Sequence, residues 1–212
     1  MITELPTPTH AERLAAAAAT TAAARSHVDD HAALAATVHR LQAAAVAGEL
    51  DDTGAADLVK QSEALRISEI VLPRKQAVLR DALAAEYTVA AEVLESLALA
   101  LDPLAKDAAA AADLLTAAMI LPAAAELRGD TGQGYHRDTG RTILEGYAHG
   151  VYPASMLAER IETARRTNFG AAHVPAAARE ILASWEAEVQ GIKAGTAALK
   201  AALRAVEKIS AS

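Results

Sequence analysis

The chain has 212 residues, a formal net charge of −7 and no cysteine. The acidic balance argues against nucleic acid as a partner, because phosphate binding needs a basic face, and the missing thiols exclude disulfides and thiolate catalysis. Hydrophobic residues make up 52% of the chain but aromatics only 3%, and 57 residues are alanine, so helix formation costs little while each residue brings little side chain to a core.

Met1 to Arg13 carries Glu4 and three threonines without an apolar run, so no signal peptide is expected there. Thr9 and Glu12 have the spacing of a capping box, which predicts a helix from Thr9 to about Ala47. Its clearest apolar stripe is Leu34, Val38, Leu41 and Ala45. Gly48 ends it, and Glu49 to Gly54 reads as an acidic turn. His27 and His31 are four apart, as a metal pair on one helix face needs. No third ligand is identifiable, so no metal site is assigned; the seam run backwards from Leu34 places both near the buried face, where they would fix helix register, and a solvated face is the other expectation.

The second helix is expected to start near Ala55. Leu58, Leu65, Leu72 and Leu79 are seven apart, and the seam runs on through Leu83, Ala90, Leu94, Leu97, Leu101, Leu104, Ala108, Ala111 and Leu115. Pro73 and Pro103 interrupt it, yet the apolar phase carries across both. Kinked or briefly broken helices continuing in one direction fit this better than reversals; Asp102-Pro103 as a fresh helix start is the alternative. Val59, Ile67, Ile70, Val71, Val78, Val89 and Val93 lie off the seam and spread over a second face. One neighbouring helix cannot cover both faces, which points to self-association. The most apolar window, Leu97 to Leu121, contains Asp102, Lys106, Asp107 and Asp113, so no membrane span is expected.

From Arg128 to Pro175 the composition changes. This stretch holds seven of the eleven glycines, four of the six aromatics, six arginines and no lysine. It is expected to be a head or long excursion with short helices near Thr142 to Ala148 and Pro153 to Arg166. Its loop from Arg128 to Thr142 is rich in glycine, and Arg137 and Arg141 could clamp an anion. Gly134 to Thr142 resembles a phosphate-binding loop only superficially: it is one residue too long, has arginine where lysine belongs, and follows no apolar strand. The repeated Asp-Thr-Gly at Asp130 and Asp138 lacks the β-rich setting of an aspartic protease. Tyr147, Tyr152, Arg160, Arg165 and Arg166 are of the types enriched at binding hot spots. With Arg137 and Arg141 they form the expected partner-binding set.

After Pro175, Leu182, Trp185, Val189, Ile192, Thr196, Leu199, Leu203 and Val206 repeat at threes and fours, the pattern of a coiled-coil seam. The expected fold is therefore all-α. Residues 1–127 and 176–212 would form a long-helix bundle, an antiparallel coiled coil of alanine-rich helices, and 128–175 an inserted head. No nucleophile–base pair or carboxylate pair stands out, so no catalytic residue and no cofactor is assigned. The functional expectation is a non-enzymatic structural or interaction protein: a self-associating rod that docks a protein partner through its head. It would be cytoplasmic, or virion-associated if it is a phage assembly component. The alternative is an anion- or nucleotide-binding regulatory protein using residues 128–142.

Overall fold

The computed structural model describes residues 9–119, 151–166 and 173–210. Among them are four helices and no strand: α1 His10–Val46, α2 Asp52–Met119, α3 Tyr152–Arg165 and α4 His173–Ser210. The fold is all-α.

The start of α1 is fixed by side-chain chemistry. Thr9 is extended and its Oγ1 accepts from the Glu12 N–H at 3.3 Å, while the Thr9 N–H donates to Glu12 Oε2 at 2.7 Å. The reciprocal bonds occupy two donors that a helix start leaves orphaned. Its end is fixed by backbone geometry. Gly48 adopts φ +73 and its N–H reaches the Ala45 carbonyl, a left-handed conformation that costs glycine nothing.

α2 begins at Asp52, three residues before the expected Ala55. The Asp51 carboxylate accepts the Gly54 N–H at 2.7 Å and so caps the first turn. Residues 52–54, expected as the end of the acidic turn, are helical. The helix then runs through Pro73 and Pro103 without a break, and both proline side chains face solvent. A new start at Asp102-Pro103 is thereby ruled out.

The inward stripe of α2 follows the leucine heptad, with one correction. Leu58, Leu65, Leu72 and Leu79 are half-buried. A step of seven from Leu79 lands on Glu86 and a step of three on Ala82; both are buried, whereas Leu83 is 37% exposed. The expected seam stepped four at this point and left the heptad. Beyond it, Ala90, Leu94, Leu97, Leu101, Ala108, Ala111 and Leu115 are buried as expected, and Leu104 is half-buried.

Two compact units divide the chain, Met1–Val89 and Ala90–Ser212, and the boundary between them falls inside α2. In the first unit, α1 packs against the beginning of α2. Thr21 Oγ1 donates to the Ala82 carbonyl at 3.3 Å, and His31 Nδ1 lies 2.9 Å from Ser68 Oγ. The later residue on α1 meets the earlier one on α2, so the two segments are antiparallel. Ala24 and Ala82, buried in this unit, leave room for close backbone approach. The α1 stripe includes buried Val38 and half-buried Leu34 and Leu41, but Ala45 is exposed and Ala44 takes its place.

In the second unit, Ala111, Ala112, Leu115, Leu199 and Val206 form one core cluster, with Val151, Ala118 and Ala202 against it. α3 packs against α4, and Leu157 and Ile161 on α3 are fully buried. α4 starts two residues before Pro175, which sits in the first turn where no backbone donor is needed. Val189, Ile192, Thr196, Leu199 and Val206 are buried along its seam, and Trp185 and Leu203 are half-buried. Leu182 is only half-buried, because Ile181 beside it takes the core position. The hydroxyl of Thr196 donates to the Ile192 carbonyl at 2.8 Å, which satisfies a polar group on the buried side.

Candidate interaction surface

The strongest surface feature of the first unit is the outer side of α2. Val59, Ile67, Ile70 and Val78 are 68%, 59%, 75% and 51% exposed. At about 100° per residue these four lie within about 100° of arc, with Glu63 and Arg74 interleaved, away from the inward leucines. Val71 sits at the edge of this face. With Ala24, His27, Arg74, Lys75 and Val78 it lines an almost wholly apolar groove of about 320 Å³ between α1 and α2. Two members of the expected second face do not belong to it. Val89 is half-buried, and Val93, in the second unit, is fully buried: they lie seven residues beyond Ala82 and Glu86 and so continue the inward heptad.

The paired histidines of α1 do different things. His31 is half-buried and hydrogen-bonded to Ser68, a contact that ties α1 to α2 in one register. His27 is exposed at the groove, on a solvated face rather than near the buried side where the seam run back from Leu34 would place it. Among the described residues, no group of three or more His, Cys, Asp or Glu is placed to hold a metal ion.

Of the expected partner-binding set, Arg137, Arg141 and Tyr147 lie outside the described residues, as does the whole 128–142 loop. Tyr152 is exposed at the start of α3, with Met156 exposed one turn on. Arg160 lies in a cleft of about 300 Å³ between α3 and α4, lined also by Met156, Thr163, His173, Glu180 and Ile181. It donates to Glu188 at 2.7 Å, and Glu180 is 4.0 Å away. Arg165 and Arg166 both reach Glu162, at 3.8 and 3.4 Å. Each described arginine of the set thus has a carboxylate of its own unit beside it. The sequence offered no sign of Glu180 or Glu188 as partners, because the pairing of α3 with α4 brings them there.

Electrostatics follow from these contacts. Partial burial pushes the Glu188 carboxyl up, but a hydrogen bond from Ser184 and the hydrogen bond and charge of Arg160 outweigh it and hold the group below its ordinary value. Glu12 is also lowered, by the Thr9 backbone N–H and then by the Thr9 hydroxyl. Lys200 donates to both oxygens of Asp107 at 2.7 Å, an exposed link between α4 and α2 within the second unit.

No family model, no curated protein and no solved structure matches the chain. No described helix is long and apolar enough to cross a membrane.

Proposed function

We propose that this chain is a non-enzymatic helical interaction protein that self-associates through the outer face of α2. The supporting observation is the exposed row Val59, Ile67, Ile70 and Val78 beside an apolar groove. Burying half-exposed Val and Ile side chains contributes on the order of 1 kcal/mol each. Eight of them across a pair of copies are comparable with the cost of association. One charge placed in the middle of the row is then enough to separate the copies.

The role in view is a structural or assembly one, in the cytoplasm or in a particle such as a phage. A protein partner would contact the segment around α3, where Tyr152 and Met156 face solvent. Sedimentation equilibrium at micromolar concentration, comparing the wild type with Ile67→Glu and Val78→Glu, tests the self-association. An oligomeric wild type that dissociates in either variant is expected. A monomeric wild type, or an oligomer indifferent to both changes, removes the proposal.

A further inference from the structure

We infer that the outer face of α2 is complementary to itself under a two-fold rotation, so that two copies pair antiparallel with Glu63 of each facing Arg74 of the other. This deepens the self-association proposed above and rests on it.

The face reads Val59, Glu63, Ile67, Ile70, Arg74, Val78. The steps between these residues are four, four, three, four and four, the same from either end. All six side chains are exposed. Turning the helix end for end about the point between Ser68 and Glu69 places Val59 on Val78 and Ile67 on Ile70. The same rotation places the carboxylate of Glu63 on the guanidinium of Arg74. Shape class is conserved at every position and charge is inverted at the one pair where inversion is needed. This is what an isologous contact requires, since the same patch serves both copies.

Neither Glu63 nor Arg74 has a side-chain ion pair or hydrogen bond among the described residues. Each is therefore available to another chain. A parallel pairing would set Glu63 against Glu63 and Arg74 against Arg74, two like-charge contacts flanking the apolar centre. An antiparallel pairing replaces both with attractive contacts and keeps the apolar residues in register. Because most steps are of four, the face slants across α2, and two such faces meet most closely at Ile67 and Ile70. Glu63 and Arg74, one turn away on either side, have side chains long enough to reach across from there.

The test is a charge-reversal cycle, read as the dimer dissociation constant by sedimentation equilibrium at low ionic strength. Glu63→Arg and Arg74→Glu each turn both attractive contacts into repulsive ones, and each alone is expected to weaken association by about tenfold or more. The double variant Glu63→Arg/Arg74→Glu restores opposite charges at both contacts and is expected to return near the wild-type value. Added salt should shrink the differences. Circular dichroism of each variant checks that the helices remain, which is expected at exposed positions. If the wild type associates and Ile67→Glu disrupts it, but the single reversals change nothing or the double variant fails to recover, the two-fold register is overturned and self-association stands. A monomeric wild type, or one that associates regardless of both Ile67→Glu and Val78→Glu, overturns both.

Discussion

Arg160 illustrates what a single residue can and cannot reveal. Its type and its place after the glycine-rich stretch mark it as a candidate contact residue. Its actual setting, between Glu188 at 2.7 Å and Glu180 at 4.0 Å, depends on α3 lying along α4. Glu188 is held below its ordinary pKa, so the ionised form is favoured by folding. The stability it contributes is complete above the unfolded-state pKa and is lost as pH falls through the lower folded-state pKa. Glu188→Gln is therefore expected to destabilise the protein at neutral pH. The pair is part-exposed and screened, so the loss should be on the order of 0.5–1 kcal/mol. Urea unfolding at neutral pH and at about pH 3 checks this: the gap between wild type and variant should close in acid, and a gap of constant size counts against the pairing. Thr9 and Glu12, by contrast, were readable from spacing alone, because a capping box is local chemistry across four consecutive residues.

Among the elements, α2 shows where local rules were overridden. Proline in a helix interior removes a backbone hydrogen bond and crowds the preceding turn, at about 3 kcal/mol relative to alanine. Even so, Asp52–Met119 is one helix through Pro73 and Pro103. The leucine heptad on one side of Pro73 continues on the other, and burying both parts against α1 favours keeping the phase. Because the Pro73 side chain faces solvent, Pro73→Ala should raise stability by about 1–3 kcal/mol, measured as a higher urea midpoint with an unchanged slope. A fall would mean that the packing of α1 on α2 needs a bend at that point. The misplacement of Leu83 has the opposite lesson. Its hydrophobicity suited the seam, but the helix phase set by Leu58, Leu65, Leu72 and Leu79 put Ala82 and Glu86 inside instead.

For the whole molecule, the two compact units divide at Val89 and Ala90, inside a continuous helix and at no change of composition. Each unit buries one side of α2, and in the first unit the other side keeps Ile67, Ile70 and Val78 in solvent. If those residues are covered by a second copy, thermal stability must depend on protein concentration, because association binds the folded state alone. The melting midpoint of the wild type is expected to rise as concentration is raised a hundredfold, while that of Ile67→Glu stays flat. Parallel behaviour of the two proteins would place the stabilising contact somewhere else.

Alanine content, the Thr9–Glu12 cap and the heptad and three-four spacings were enough to determine that the chain is all-α and roughly where its long helices lie. Those properties come from backbone propensity and from hydrogen bonds between residues a few positions apart. Tertiary packing decided which apolar side chains are covered. Val93 and Val78 are the same residue type on the same helix, yet one is fully buried and the other half exposed, because packing covers the side of α2 on which Val93, seven residues beyond Glu86, lies and leaves the side of Val78 in solvent. It also decided that His31 binds Ser68 while His27 faces the groove, and that Arg160 finds Glu188 twenty-eight residues away. Burial and ion pairing depend on which helix arrives at a given face, and that information is held jointly by segments far apart in the chain.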